Sequence, residues 1–435
     1  MQDDKNDKKQ TRRDFLKAGA LAATGALAGF SIIRPAHARG AGPLLKVGLI
    51  GCGGRGTGAA ENCLNAAQDV ELIALADVFQ DRIDKCRQNM GDPNRKAGAL
   101  AGYKVGDDMC FVGFDAYKRL LETDVDLVIL GTPPGFRPEH FTAAVDAGKH
   151  VFTEKPVGVD PVGLRKFMAA GEKSKAKGLA VVAGTQRRHD PAYQEMIKRI
   201  HGGQIGDIRA ARCYWNMGAL WNKEQKPGMS DMEWQLRNWL YFCWLSGDHI
   251  VEQHVHNLDV INWAMGAHPV KAYGMGGRQV RTDPVFGHIF DHFAIDFEYP
   301  GGAHLLSMCR QTANTDTNVS EVVVGATGES YSDGKRCMIK GEKRWRHRGE
   351  GEKVNPYDQE HVDLIESIRS GNPLNEAQRV AESTMTAVMG RLSAYTGLEV
   401  TWEQMMASDL DLSPKKYEWG PIPVPPVPMP GITKL

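Results

Sequence analysis

A glycine-rich hexapeptide follows the first apolar run of the chain and reads Gly51-Cys52-Gly53-Gly54-Arg55-Gly56. Glycines at this spacing permit a tight turn between a strand and a helix, and they let backbone N–H groups approach a pyrophosphate. Asp77 follows about 20 residues later, where a carboxylate accepts hydrogen bonds from a ribose and repels a 2′-phosphate. The pattern predicts a site for NAD, with NADP possible, against the alternative of a structural glycine turn.

A second polar group, Thr153-Glu154-Lys155-Pro156, directly follows an apolar run. Ligands of open α/β sheets bind at the edge where the parallel strands end. A lysine at that edge can lie beside a nicotinamide ring and bind or polarise a substrate hydroxyl. The alternative is a surface lysine that precedes a proline turn.

The densest group of polar residues begins at Asp248, which can cap a helix. Three- and four-residue spacings predict one polar stripe along this helix. The stripe consists of His249, Glu252, His256 and Asp259. His256 is the candidate general base, because an imidazole near its ordinary pKa of about 6.5 suits proton removal at neutral pH. Glu252 would orient or polarise His256, and His249 and Asp259 would contact the substrate.

Two other interpretations of this segment remain open. His249, Glu252, His254 and His256 could bind a metal, but their spacing is not a standard zinc signature and a helix would point His254 away from the stripe. We therefore predict no metal site. The segment could also be a capped, hydrogen-bonded interior helix without a catalytic role.

The elements that must position these residues alternate between strands and helices in the first half of the chain. Predicted strands cover residues 45–50, 70–76, 125–131, 150–153 and 179–183. This alternation is typical of a doubly wound parallel sheet, a Rossmann domain. Beyond residue 205, aromatic and alternating runs between turns predict a large, mostly antiparallel sheet. Two late helices, over 358–370 and 376–396, should pack back onto the body.

These patterns predict four segments. Residues 1–38 form a leader, 44–185 the NAD(P)-binding domain, 186–415 an α/β substrate and oligomerisation domain, and 416–435 a proline-rich tail.

Together the motifs resemble the glucose–fructose oxidoreductase, inositol dehydrogenase and rhizopine-catabolism (Gfo/Idh/MocA) family. They are the glycine loop, Thr132-Pro133, Gly148-Lys149-His150-Val151 leading to Glu154-Lys155-Pro156, and the helix around His256. The resemblance implies a Rossmann domain, an α/β domain with an open-faced sheet that forms oligomer contacts, and an active-site Lys155. We expect Thr132, Pro133, Glu154 and Lys155 to contact the cofactor, and the protein to be a dimer or tetramer.

The histidine segment departs from the family pattern, which is Asp-x-Gly-x-His-x-x-Asp. His256 and Asp259 match it, whereas Glu252 replaces the usual Asp and His254 replaces the usual Gly. The longer and bulkier side chains put the exact shape of the pocket in doubt.

Six of the nine tryptophans fall between residues 215 and 263, and aromatic faces stack well on the C–H surfaces of sugars. Trp221 is the candidate for substrate stacking, although core packing is the usual role of a tryptophan. The turn Gln186-Arg187-Arg188-His189 follows a predicted strand, and Arg188 and His189 could face the substrate. The alternative for this turn is an exposed basic surface.

The first 38 residues predict an export signal. Thr11-Arg12-Arg13-Asp14-Phe15-Leu16-Lys17 precedes an apolar run of about 16 residues, too short to span a bilayer, and Ala36-His37-Ala38 forms a small-x-small cleavage pattern. The paired arginines resemble a twin-arginine signal, which exports folded proteins. We expect a periplasmic protein without a stable membrane anchor after cleavage.

The composition excludes several classes of partner and site. Formal net charge is zero, so no basic surplus argues for nucleic acid. The eight cysteines include no Cys-x-x-Cys pair. Export favours disulfides, but folding in the reducing cytoplasm weakens that expectation.

The leading hypothesis is hydride transfer between NAD(P) and a hydroxyl of a sugar, glycoside or cyclitol. An exported enzyme would have to carry its cofactor tightly bound and regenerate it in place. The second hypothesis is therefore a redox-neutral glycoside hydrolase, lyase or epimerase that oxidises its substrate transiently. The non-enzymatic alternative is a sugar-binding protein that retains NAD.

Overall fold

The computed structural model describes residues 42–94, 96–349 and 354–434. The predicted signal over residues 1–38 lies outside this part of the chain. The described residues build one sheet of six strands and one of nine. No helix among them is both long and apolar enough to cross a membrane.

The six-stranded sheet is parallel throughout and has the strand order β3-β2-β1-β4-β5-β6. Its strands are β1 (Leu45–Ile50), β2 (Val70–Asp77), β3 (Cys110–Val112), β4 (Leu127–Leu130), β5 (His150–Thr153) and β6 (Val181–Ala183). This is the Rossmann order, and it confirms the predicted fold class of the first half. Every residue of β4 is buried, as expected for a strand with helices on both faces.

Helices connect these strands and cover both faces of the sheet. They are α1 (Gly54–Ala66), α2 (Gln80–Met90), α3 (Ala97–Gly102), α4 (Ala116–Leu121), α5 (Arg137–Asp146) and α6 (Pro161–Ala176). Helix α1 begins at Gly54, inside the glycine loop, although glycine has a poor helix propensity.

The second half begins with α7 (Pro191–His201) and contains the nine-stranded sheet. Its strands are β7 (Ile208–Met217), β8 (Lys271–Gly277), β9 (His292–Glu298), β10 (His304–Gln311), β11 (Asn318–Gly325), β12 (Gly328–Ser332), β13 (Cys337–Gly341), β14 (Trp345–Arg346) and β15 (Val400–Thr401). All neighbours are antiparallel except β7 and β10, which confirms the expected mostly antiparallel sheet. Residues alternate along β10, with Leu305 and Cys309 buried and Leu306 and Met308 exposed.

The helices between β7 and β8 are short. They are α8 (Asp231–Arg237), α9 (Cys243–Ser246), α10 (His249–Glu252) and α11 (Val255–Met265). Three further helices follow β14 in the chain: α12 (Pro356–Arg369), α13 (Ala377–Thr396) and α14 (Trp402–Ala407). Helix α12 packs on α1, and α13 packs on α6 and β8, so the late helices contact both halves. The boundaries that the sequence predicted for the four segments of the chain remain predictions.

Candidate active site

A cavity of about 690 Å³ lies where the strands of the parallel sheet end. Many of the predicted site residues line it: Gly51, Gly53, Gly54, Arg55, Asp77, Thr132, Pro133, Glu154, Lys155, Trp221, Glu252 and His256. The remaining ones do not line it: Gly56, Arg188, His189, His249 and Asp259. One cavity thus combines the glycine loop with the histidine segment, which lies about 200 residues further along the chain.

The glycine loop is shaped for a bound phosphate group. Gly51 has φ of +97°, and a Cβ atom there would lie 2.5 Å from the backbone nitrogen of Thr132. At Gly53 and Gly54, in contrast, a Cβ atom would meet nothing within 4 Å. Gly53 caps α1 without a side-chain hydrogen bond, and the first turn carries no acidic residue. The N–H groups of this turn can therefore hold the pyrophosphate of a dinucleotide.

Asp77 ends β2 beside the glycine loop and is oriented by two backbone groups. The N–H of Cys52 donates to Oδ2 at 2.8 Å, and the N–H of Phe79 donates to Oδ1 at 2.9 Å. Each carboxylate oxygen keeps a lone pair for a ribose hydroxyl. Burial raises the pKa of this carboxyl above its ordinary value. Cys52 is itself buried in the turn.

Arg55 turns from the loop toward buried carboxyl groups. Its Nε donates to Glu154 in a short ion pair, and Nη2 lies 3.6 Å from Oε1 of Glu360. The guanidinium carbon lies 5.0 Å from the centre of the Tyr357 ring. Burial, together with the neighbouring Glu154, raises the pKa of Glu360 well above its ordinary value. Arg55 thus ties the loop to Glu154 and to helix α12.

The predicted single helix with one polar stripe is wrong. Helix α10 ends at Glu252, and α11 begins at Val255. The N–H of His256 donates to the carbonyl of Gln253 at 3.3 Å rather than to that of Glu252. The Glu252 carbonyl is therefore available, and the ammonium group of Lys155 donates to it at 2.5 Å.

Lys155 and Glu252 also form an ion pair at the reacting end of the cavity. Nζ of Lys155 lies 3.2 Å from Oε1 of Glu252, and these side chains are only 12% and 16% exposed. Because both the carbonyl and the carboxylate of Glu252 accept from Nζ, the Lys155 ammonium group has a defined position. Its third proton remains for a ligand in the cavity.

His256 is almost fully buried beside this pair. Its ring stacks on Trp215 with 5.6 Å between ring centres, and Arg187 lies on the Trp215 ring at 5.7 Å. Burial lowers the pKa of His256 well below 6.5, and the positive charges of Lys155 and Arg187 add to this effect. The expectation of an ordinary histidine pKa is therefore wrong. His256 is neutral at pH 7 and can accept a proton.

His249 and His254 lie away from the cavity. The N–H and the Nδ1 atom of His249 lie 2.6 and 2.9 Å from Oδ1 of Asp248, and its ring packs against Phe293. Nε2 of His254 lies 2.7 Å from the hydroxyl oxygen of Ser307 under the large sheet. No group of three potential metal ligands occurs in the part of the chain that the structure describes. No disulfide joins the eight cysteines, all of which lie within that part.

Arg188 and Asp259 form a buried pair behind the cavity. Nε and Nη2 of Arg188 donate to the two carboxylate oxygens of Asp259 at 2.8 and 2.9 Å. The hydroxyl of Ser383 on α13 donates to the same carboxylate at 2.8 Å. Although burial opposes it, the Arg188 charge lowers the pKa of Asp259. His189 lies nearby, with Nδ1 2.5 Å from Asp363. Their contacts support a structural role for these residues.

Trp215 and Trp239 line the cavity together with Trp221, and sequence reasoning did not single out the first two. It also missed three phenylalanines of the lining, Phe79, Phe114 and Phe136. Each follows the end of a strand of the parallel sheet, which is a signal that could have identified it. Tyr357 of helix α12 also lines the cavity, and it does not follow a strand of the parallel sheet.

Two family descriptions match the chain. Residues 45–182 match the oxidoreductase family with an NAD-binding Rossmann fold, and residues 193–331 match the Gfo/Idh/MocA C-terminal domain. The chain belongs to the Gfo/Idh/MocA family. Its Rossmann domain is an NAD-binding domain, and the predicted oxidoreductase class and cofactor are confirmed.

Individual members of the Gfo/Idh/MocA family differ widely from this chain. Scyllo-inositol 2-dehydrogenase (NAD(+)) of Bacillus subtilis is 22% identical over 66% of this chain and 73% of its own length. The 2,7-anhydro-N-acetylneuraminate hydratase of Escherichia coli is 28% identical over 46% and 50% of the two chains. The aldose-aldose oxidoreductase structure from Caulobacter crescentus has a TM-score of 0.63 at 19% identity and covers 82% of this chain and 99% of that one. This last likeness concerns the fold.

Proposed function

We propose that this protein transfers hydride between NAD and a hydroxyl-bearing carbon of a sugar, glycoside or cyclitol. The proposal rests on the arrangement of Lys155, Glu252 and His256 in the same cavity as the glycine loop and Asp77. Similarity to a scyllo-inositol 2-dehydrogenase supports this class of substrate.

The roles of the side chains follow from their charges and contacts. When bound, NAD⁺ supplies the hydride acceptor. Lys155, held by Glu252 at 3.2 Å, donates a hydrogen bond to the substrate oxygen and stabilises negative charge there. Burial keeps the His256 ring unprotonated at pH 7, so a ring nitrogen is available to accept the hydroxyl proton as hydride leaves. Glu252 positions the lysine rather than accepting the proton itself.

Aromatic rings supply a surface for a carbohydrate. Trp215, Trp221 and Trp239 all line the cavity, and Trp221 is 47% exposed. Aromatic rings bind the C–H faces of sugars, and an indole N–H can donate to a hydroxyl. We therefore include Trp221 among the residues that bind the substrate.

The first test measures reduction of NAD⁺ or NADP⁺ by residues 39–435 with a panel of cyclitols, aldoses and glycosides. We expect NADH formation with at least one compound and a preference for NAD⁺. His256→Asn should reduce that rate by about a hundredfold or more. The control, His347→Asn, alters a histidine beside Trp345 outside the cavity lining and should keep the rate. A protein that binds no dinucleotide, or a fully active His256→Asn variant, would overturn the proposal.

A redox-neutral reaction is the second candidate. It is supported by similarity to a 2,7-anhydro-N-acetylneuraminate hydratase and by the predicted export, which would separate the enzyme from a soluble nicotinamide pool. In this case the purified protein should release stoichiometric NAD(H) on denaturation. Product should also form without added cofactor and incorporate solvent deuterium beside the oxidised carbon. Strict dependence on added NAD⁺ would reject this candidate.

We also propose export to the periplasm by the twin-arginine route, on the basis of Arg12, Arg13 and the apolar run that follows. Changing both arginines to lysine should retain the precursor in the cytoplasm, as measured by cell fractionation. Changing Lys5 to arginine is the control and should leave export unchanged. Equal export of all forms would contradict this proposal.

A homodimer or tetramer is proposed from the outer face of the large sheet. Strands β8 and β10, on either side of β9, expose Tyr273, Met275, Leu306 and Met308, which are between 37% and 69% exposed. Strand register aligns Tyr273 with Leu306 across Asp296 of β9, and Met275 with Met308 across Ala294. Large apolar side chains exposed together on one sheet face are typical of an interface. Light scattering should give a multiple of the chain mass, and Met308→Glu should lower it.

A further inference from the structure

Three loops of the Rossmann domain form an aromatic wall at one end of the cavity. Phe79 follows β2, Phe114 follows β3, and Phe136 follows β4. All three residues line the cavity together with Asp77. Phe79 and Phe114 follow the two strands next to Asp77, in the half of a Rossmann site that holds the adenosine of a dinucleotide, and Phe136 follows β4 at the switch point of the sheet.

The C-terminal segment places two aromatic rings on this wall. The Trp419 ring centre lies 5.6 Å from that of Phe79 and 4.9 Å from that of Phe114. The Tyr417 ring centre lies 6.2 Å from that of Phe114 and 5.3 Å from that of Phe136. These separations are typical of favourable aromatic pairs. Two rings of one short segment thus join three loops that are far apart in sequence.

Hydrogen bonds fasten the same segment on both sides of these rings. Before them, the N–H of Leu412 donates to Oδ2 of Asp160, the cap of α6, at 2.9 Å. After them, Gly420 accepts from the N–H of Met232 at 3.1 Å, and Ile422 accepts from Nε2 of Gln235 at 2.8 Å. The segment therefore runs from the Rossmann domain to helix α8.

Helix α8 is itself connected to the wall. Both terminal nitrogens of Arg237 donate to the carboxylate of Asp81 at 3.0 Å. The guanidinium carbon lies 3.9 Å from the centre of the Phe79 ring, within the range of a cation–π contact. The loop after β2 is consequently held by Trp419 on one side and by Arg237 on another.

We propose that residues 412–422 form a strap that retains the dinucleotide, with Tyr417 and Trp419 as positioning residues of the cofactor site. The inference rests on the proposed function, because it takes the cavity to hold NAD. Independent loops open on fast timescales. Loops joined by a segment that is fastened at both ends must open together, so release of the cofactor is slow. The strap touches the wall and not the reacting end, and it should leave hydride transfer unchanged.

The test compares the dissociation rate of NADH from the wild type and from the Tyr417→Ala/Trp419→Ala double variant. Stopped-flow fluorescence after mixing with excess NAD⁺ measures this rate. We expect release about tenfold faster or more in the double variant, since the four aromatic pairs with the wall are lost. Single-turnover hydride transfer with cofactor already bound should change less than about twofold.

Two further variants separate this role from general stability. Trp419→Phe keeps a ring and should release NADH at nearly the wild-type rate. Val424→Ala removes a 41% exposed side chain beyond the strap and serves as the control. The proposed strap would be overturned by an unchanged rate of NADH release in the double variant. It would also be overturned if Val424→Ala accelerated NADH release equally. Wild-type protein that binds no NADH would instead refute the proposed function.

Discussion

The two ends of the cavity are built in different ways. The dinucleotide end depends on backbone: Gly51 adopts φ of +97°, and Asp77 is oriented by two N–H groups. The reacting end depends on side chains from distant elements, with Lys155 after β5 and Glu252 and His256 on two short helices. The first end is specified by a local motif, and the second requires the two halves of the chain to meet.

Because of this difference, we expect cofactor binding and hydride transfer to depend on different residues. Substitutions at the backbone-built end should change cofactor affinity, and those at the other end should change turnover. Each experiment below can strengthen or break that division.

The largest effect should come from Lys155→Met. Loss of the ammonium group removes the donor to the substrate oxygen and leaves Glu252 unpaired. We expect kcat to fall about a thousandfold or more, while the Kd of NADH, measured by fluorescence, stays within about threefold. Lys335→Met, on an exposed turn, is the control. Equal losses in turnover and cofactor affinity would break the comparison.

Gly51→Ala should weaken NAD binding by about a hundredfold, because the new Cβ atom meets backbone and the residue must keep a left-handed conformation. Gly54→Ala is the matched variant, because its Cβ atom meets no protein atom within 4 Å. It should leave the melting temperature of the cofactor-free protein unchanged, whereas Gly51→Ala should lower it. Calorimetry measures both. If Gly51→Ala and Gly54→Ala have the same melting temperature, close backbone contact does not require glycine at position 51.

Asp77→Ala should shift the cofactor preference. Removing the carboxylate removes the ribose acceptor and the repulsion of a 2′-phosphate, so the ratio of kcat/KM for NAD to that for NADP should fall about tenfold or more. Asp146→Ala is the control in the same domain, since it pairs with Lys173 and does not line the cavity. An unchanged ratio would show that Asp77 does not select the cofactor.

The smallest effect concerns the stability of the folded protein in acid. Burial lowers the pKa of His140 and of His254 to about 3. Each folded pKa lies below the unfolded value of about 6.5, so the unfolded state binds more protons in this window. The contribution of these two histidines to the free energy of unfolding should therefore be constant above pH 7 and fall by about 1.4 kcal/mol per pH unit for each histidine below pH 6.

Urea unfolding between pH 5 and pH 8 measures this slope. His254→Asn should reduce it by about 1.4 kcal/mol per pH unit, whatever its effect on absolute stability. His189, whose pKa rises to about 10 through Glu376 and Asp363 despite burial, stays charged in both states below pH 6 and adds no slope there. An identical slope in His254→Asn would contradict the assignment.

The sequence predicted the dinucleotide end well. The glycine loop, Asp77 and Glu154 lie close to strands in the chain, and a parallel sheet brings strand ends to one edge. The histidine segment was located correctly, but its shape was not. A helical period says nothing about the break at Gln253 and His254, where the His254 ring contacts Ser307 under the large sheet.

Local sequence thus determined the fold class, the NAD-binding motif and the identity of the candidate reactive groups, because each depends on neighbours within one element or one turn. Tertiary structure alone decided which groups share the cavity. Arg188 and Asp259 form a buried pair with each other, and Trp419 reaches the wall from the C-terminal end of the chain. Such contacts depend on packing between distant segments, and burial also decides the pKa of His256.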